Sequence, residues 1–489
     1  MLFNSHIFML LFLPLLLAGW YFLNWKKKFQ LAQGYLIGMS LWFYAYANLQ
    51  YLWLLLFSCL IGWLLSCLPE KIFSEKGKKV LTGVGCVFHL GLLGYFKYSN
   101  FFLENLNTVF HTDFPMLQIL LPVGISFYTF QQLAYLIDRC RGDAPRDSFF
   151  DYLTFMVYFP QLLQGPILLR SEFMGQLKEP ERRRFHAERF SEGIQFFVFG
   201  LAKKVLLADT LAKAVNYGYS NVSMLDSISA LLLAVGYLTE LYFDFSGYCD
   251  MAVGLGKMIG LEVAENFDAP FHSASVKEFW RRWHMTLGRF FTRYVYIPLG
   301  GNRRGKMRTL CNVMIVMLLS GLWHGAAWTF VLWGFLHGVG MIWDNLEHPH
   351  LPKKWMRQAA TFAYVCMTFV FFRAESIAQG FDVLKSIVSL KWNGFVFQMA
   401  SALDMTECYI ITKALSMKLP GLLSWFWLGI FVVLIAICFR VLSGEKVSGV
   451  VALQRQKGYG RLYPVLLAVL FTWSMISMTG VSEYLYFSF

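Results

Sequence analysis

About 35 consecutive residues, Thr309 to Trp343 (TLCNVMIVMLLSGLWHGAAWTFVLWGFLHGVGMIW), are nearly all apolar and stand between basic runs. A bilayer core of ~30 Å takes about 20 helical residues at ~1.5 Å each, so the stretch is too long for one crossing and too short for two. Arg303, Arg304, Lys306 and Arg308 precede it, and Lys353, Lys354 and Arg357 follow it. The positive-inside bias therefore puts both ends in the cytoplasm. The pattern predicts a re-entrant hairpin of two short helices with SGLWHG at its apex. A first arm of ~14 residues rises roughly 20 Å and carries His324 into the hydrocarbon depth. An imidazole there needs a partner or a water-filled cavity, and irregular backbone is tolerated at that depth only where it is buried in protein or lines such a cavity. Ser320, Gly321, Gly325, Ala326 and Ala327 leave room for one. Two readings follow: a packed histidine capping the turn, or a functional site.

The rest of the chain agrees with a membrane setting. It is 57% hydrophobic and only 15% charged, the profile of an all-α polytopic membrane protein. The first hydrophobic run has no basic region ahead of it and no small-residue cleavage site, so it reads as a retained span. A net charge of +13 would ordinarily raise nucleic acid as a partner. Here the Lys and Arg lie in short loops between apolar spans and report topology, so nucleic acid is set aside. The nine cysteines contain no CxxC pair and imply neither a disulfide framework nor a metal site.

Taken in order, spans are predicted at 7–24, 31–48, 50–68, 80–98 and 116–137. A Pro-broken re-entrant segment follows at 151–169. Further spans begin near Gly193 and cover 229–248, 358–372, 421–439 and 463–480. This gives about ten transmembrane helices plus two re-entrant hairpins, with both termini outside. The whole chain reads as one membrane domain, 1–489: N-terminal helices over 1–140, a core over 141–345 and C-terminal helices with an external tail over 346–489. Lys203 and Lys204 fall at unusual depth, and Glu240 and Asp244 share one helical face at i,i+4. They either pair with one another or form a polar wall around a substrate tunnel. Val276 to Tyr294 places Phe279, Trp280, Trp283, Leu287, Phe290, Phe291 and Tyr294 in a sector of roughly 120°, with Arg281, Arg282, Arg289 and Arg293 outside it. It predicts one interfacial amphipathic helix with His284 just past the edge of the apolar stripe.

Six stretches taken together resemble one family: YFDFSGYCDMAVGLGKMIG (Tyr242 to Gly260), NFDAPF (Asn266 to Phe271), EFWRRWHMTLGRFF (Glu278 to Phe291), YIPLGGNRRG (Tyr296 to Gly305), SGLWHGAAWTFVLWG (Ser320 to Gly334) and a terminal YFSF. The chain resembles the membrane-bound O-acyltransferase superfamily, in particular its alginate O-acetylase-like branch and, a step further off, the D-alanyl transferase branch. The resemblance implies the MBOAT fold with a through-membrane tunnel. It makes His324 the expected catalytic residue and His284 the second functional position. It also implies a cytosolic thioester donor, acetyl-CoA in the alginate-like branch, with no bound cofactor. An acceptor on the far side is implied as well, and an extracytoplasmic SGNH-type esterase or transferase as partner, in a bacterial cytoplasmic membrane.

Moving an acyl group from a thioester to a hydroxyl requires deprotonating a poor nucleophile as it attacks, and a neutral imidazole suits that task. His324 is the expected general base. Trp323, Trp328 and Ser320 would line the tunnel, or simply pack. Arg281 and Arg282 could attract the donor's phosphates or merely set topology. Tyr486, in the terminal aromatic tail, is a candidate acyl relay or an interfacial anchor. Competing readings are D-alanyl or other acyl transfer from a carrier protein to a cell-wall polymer and, in another class, a secondary transporter.

Overall fold

The long apolar runs do become helices. The computed structural model describes residues 1–67, 74–346, 351–442, 444, 446–458 and 460–478, and every regular element among them is helical. Among the described residues, six helical stretches are long and apolar enough to cross a membrane: Phe8–Trp25, Leu49–Cys67, Lys76–Phe110, Ser227–Ile259, Lys306–His324 and Pro420–Leu442.

Several predicted boundaries move. The spans expected at 31–48 and 50–68 form one helix, Phe29–Cys67. No Gly or Pro interrupts the sequence between them, so the hydrogen-bond ladder has no reason to stop. Terminus sidedness obtained by counting ten crossings therefore no longer follows from that count. The helix expected to end at Tyr98 runs on to Phe110 through a wide turn at Gly94–Tyr98, covering much of the predicted loop. The next helix starts at Ile125 rather than Met116. The segment between the spans predicted at 358–372 and 421–439 carries three further α-helices, Ile377–Val388, Phe395–Ser401 and Tyr409–Lys418.

The described chain groups into two units that alternate along the sequence. The first holds Met1–Phe197, Cys249–Glu265 and Thr286–Pro298. Its Pro-broken segment forms two short helices, Phe149–Val157 and Phe159–Leu162, then extended chain to Leu169, nearly all buried. Phe159 is fully buried among Phe3, Phe8, Phe12 and Phe43, with ring centroids 5.4–6.3 Å away. Gly124, at φ +80°, approaches the Leu162 carbonyl so closely that a Cβ would lie 2.5 Å from it. Two arginines of the predicted amphipathic helix are held here by acids. Arg289 forks onto Glu172, and Arg293 reaches Asp138 and Asp143 at 3.0 Å each.

The second unit holds Val198–Tyr248, Asn266–Met285 and Leu299–Phe489. A wide turn at Lys203–Ala208 leaves Lys204 only 2% exposed, with its ammonium 2.5 Å from Asp244 and 2.8 Å from Asp209. Of the two readings of these deep charges, pairing describes Lys204 and Asp244. Glu240, one turn away and 1% exposed, keeps Oε2 without a hydrogen-bond partner among the described residues.

The hairpin also lies in this unit. Its arms, Lys306–His324 and Trp328–Asn345, are joined by three residues. A Cβ on Gly321 would sit 2.3 Å from the Phe330 carbonyl oxygen, and one on Gly334 2.5 Å from that of Met317. Backbone therefore meets backbone across the arms, as small residues permit in membrane helix pairs. The first arm is longer than predicted: its 19 residues rise ~28 Å, enough to cross by length alone.

Candidate active site

The single amphipathic helix predicted over 276–294 is broken. Val276–Arg282 ends at Trp283, and a new helix, Met285–Phe291, starts beyond His284. The first piece is well capped. Ser275 Oγ accepts from the Glu278 N–H at 3.1 Å, and the Glu278 carboxylate accepts from the Ala274 N–H at 2.8 Å, so two otherwise orphaned donors are satisfied. Lys277 N–H donates to Asp344 at 2.8 Å, tying this end to the end of the hairpin's second arm.

The break has a tertiary cause. Met285 N–H donates to the Asn266 carbonyl at 3.0 Å, and Asp268 N–H to the Arg282 carbonyl at 2.9 Å. These bonds from the NFDAPF loop replace helical ones, and they leave His284 at φ +46°, a left-handed conformation uncommon for any residue but glycine. The side chain moves from the predicted edge of the stripe to the interior, where it is 1% exposed.

There His284 Nδ1 lies 3.2 Å from Asn266 Oδ1, while Nε2 is buried without a hydrogen-bond partner among the described residues. The Phe245 ring stands 4.7 Å away, edge to face, and Trp323 at 6.1 Å. Burial pushes this imidazole down to about 3, because a desolvated cation is disfavoured. It is neutral at physiological pH.

His324 ends the hairpin's first arm, 3% exposed. Three aromatic rings surround it with near-perpendicular faces: Trp323 at 4.9 Å, Trp333 at 5.2 Å and Phe372 at 5.1 Å. Trp323 thus touches both histidines. Ser320, one turn below His324, is buried as well. Trp328 is 56% exposed at the start of the second arm. Arg282 is engaged by Glu278 at 2.9 Å, whereas exposed Arg281 makes no ion pair or hydrogen bond among the described residues. Tyr486 lies outside the described residues.

Sequence reading missed a third histidine. His337 is fully buried in the second arm; Trp280 Nε1–H donates to its Nδ1 at 3.2 Å, and its Nε2 lies 2.9 Å from Thr368 Oγ1. Trp333 packs between His337, at 4.9 Å, and His324. The signal was available: Trp333 and His337 sit four residues apart, on one face of the arm.

Residues 144–379 match the membrane-bound O-acyltransferase family. A peptidoglycan O-acetyltransferase of Helicobacter pylori is 35% identical over 423 residues, covering 80% of each chain. The chain belongs to the membrane-bound O-acyltransferase family. It is accordingly an acyltransferase and a membrane protein, which removes the transporter reading. A protein named probable alginate O-acetylase in Azotobacter vinelandii is 39% identical over 389 residues, 77% of this chain and 76% of that one. A teichoic acid D-alanyltransferase of Bacillus subtilis is 28% identical over 271 residues, 52% of this chain and 69% of that one. Within this acyltransferase, His284, His324, Trp323 and Ser320 all fall in the second unit. That unit also contains the WHG hairpin and the buried pair of Lys204 and Asp244.

Proposed function

We propose that this acyltransferase moves an acetyl group from acetyl-CoA in the cytosol toward hydroxyls of an extracellular polysaccharide, with His324 as general base. The observation that carries the reading is the neighbourhood of His324: a buried imidazole at a helix end, walled by Trp323, Trp333 and Phe372. Such surroundings exclude bulk water, and the imidazole in its neutral form takes the hydroxyl proton as the oxygen attacks the thioester carbonyl. The same proton then leaves with the thiolate, so the exchange balances without any bound cofactor.

The donor's phosphates would meet the basic flank ahead of the hairpin, Arg303, Arg304 and Lys306, together with Arg281, all exposed. The positive-inside bias puts that flank in the cytoplasm of a bacterial cell membrane. Acetyl is favoured over D-alanyl because the relatives named as O-acetylating enzymes match about four fifths of the chain, against about half for the D-alanyltransferase. Delivery to the polymer is assigned to a separate SGNH-type partner outside the cell, with Tyr486 as the relay that hands on the acyl group.

Mass spectrometry of cell-surface glycans from cells with and without the gene tests this. The expected result is a mass of one acetyl group per modified sugar that disappears on deletion and returns with the wild-type gene. Unchanged acetylation, or loss of a D-alanyl mass instead, would overturn it.

A further inference from the structure

The clasp around His284 does more than bury it. Asn266 Oδ1 can only accept a hydrogen bond, so the 3.2 Å contact exists only if Nδ1 of His284 carries the proton. Nε2 is then the ring's lone-pair nitrogen, and it has no partner among the described residues. Which nitrogen of a neutral imidazole is protonated is set by the bond the other one makes.

The backbone enforces the same arrangement. Asn266 fixes Met285 through its own carbonyl, at 3.0 Å, while Asp268 fixes Arg282 through its N–H at 2.9 Å and through its carbonyl, which accepts from the Arg282 guanidinium at 3.3 Å. These three bonds bracket the one residue held at φ +46°. A strained backbone persists only when its surroundings over-determine it. Here what is over-determined is the direction of one ring, and Phe245 and Trp323 bound its faces.

We propose that Asn266 is a positioning residue for acyl transfer: it holds His284 in the Nδ1–H tautomer so that Nε2 accepts a hydrogen bond from a donating group of the substrate. The proposal rests on the reading that His284 belongs to the acyl-transfer site. The recognised group is an O–H or N–H, either the acceptor's hydroxyl or an amide of the donor's thioester arm. A cationic or fully aprotic ligand would not use it.

Acetyl transfer from acetyl-CoA to polysaccharide, measured with the full-length protein and its SGNH-type partner in membrane vesicles, tests this through four variants. Asn266→Leu removes the acceptor at similar volume and is expected to lower kcat about 10- to 100-fold, the usual effect of losing an orienting partner, with KM for acetyl-CoA within about twofold. Asn266→Asp keeps an acceptor oxygen and should retain at least about a third of wild-type kcat. His284→Ala should be strongly impaired, and adding Asn266→Leu to it should cost no more than about a further twofold, because residues acting as a unit are non-additive. Size-exclusion profiles of all four confirm that they fold.

Asn266→Leu with unchanged kcat would overturn the proposal. So would an Asn266→Asp variant as poor as Asn266→Leu, or an equal Asn266→Leu loss in the His284→Ala background, since each would mean that Asn266 acts on the fold and not through the ring. Full transfer by His284→Ala would overturn the site reading itself, an outcome distinct from failure of the Asn266 variants alone.

Discussion

His324→Ala is expected to lower acetyl transfer by about 10²- to 10⁴-fold, the range that a positioned general base supplies, while the protein still inserts and elutes as a monodisperse particle. The ring is 3% exposed at the end of a helix whose opposite arm packs on it backbone to backbone. Truncation leaves a small apolar gap against Trp323, Trp333 and Phe372, and loss of buried atoms from a site that cannot fully collapse costs a few kcal/mol at most. Activity should thus fall far more than stability. Initial rates set beside thermal unfolding of the same preparation check the point: parallel loss of both would make His324 a packing residue. His324→Gln, which keeps hydrogen-bonding capacity without a proton-accepting nitrogen, should be as inactive as the alanine variant.

The second large effect concerns stability. Lys204→Met is expected to destabilise the protein by about 3–5 kcal/mol, because removing one partner of a buried pair strands the other's charge. Lys204 serves two acids, Asp244 at 2.5 Å and Asp209 at 2.8 Å. They are not equivalent: the Asp244 side chain is 2% exposed and that of Asp209 is 23%. Asp209 is the less enclosed of the two, so its charge is the less costly to leave when the lysine is lost. Lys204→Met combined with Asp244→Leu should therefore recover most of the lost stability, whereas Lys204→Met with Asp209→Leu should not. Thermal unfolding in one detergent distinguishes them, and equal behaviour of the two double variants would sink the assignment.

What the sequence disclosed divides by the range of the interaction. Apolar runs long enough to need a bilayer announced helices, and basic flanks announced the hairpin at 309–343, because both are local properties. The prolines at 160 and 166 correctly marked a segment of short pieces. Helix ends were less legible. Nothing local distinguishes a turn at Asn48 from a continuing helix, and the long helix Phe29–Cys67 continues.

The break at His284 could not be read at all. No Gly or Pro marks it, and the bonds that cause it come from a loop about 18 residues upstream, a case of tertiary contacts overriding propensity. His284 and Trp323, named separately from the sequence, lie 6.1 Å apart in one unit. Asn266 was visible only as part of NFDAPF, and His337 only through its four-residue spacing from Trp333, since its partners Trp280 and Thr368 lie on other helices.

Sided transfer is the most direct measurement of the central claim. Sealed right-side-out vesicles carrying the protein, its SGNH-type partner and the acceptor polymer would be loaded internally with acetyl-CoA labelled in the acetyl group, and label on external polymer followed with time. Label should accumulate outside with the wild-type chain and not with His324→Ala, while externally added acetyl-CoA labels nothing. External labelling that does not require His324, or that proceeds equally from donor supplied outside, would contradict the mechanism.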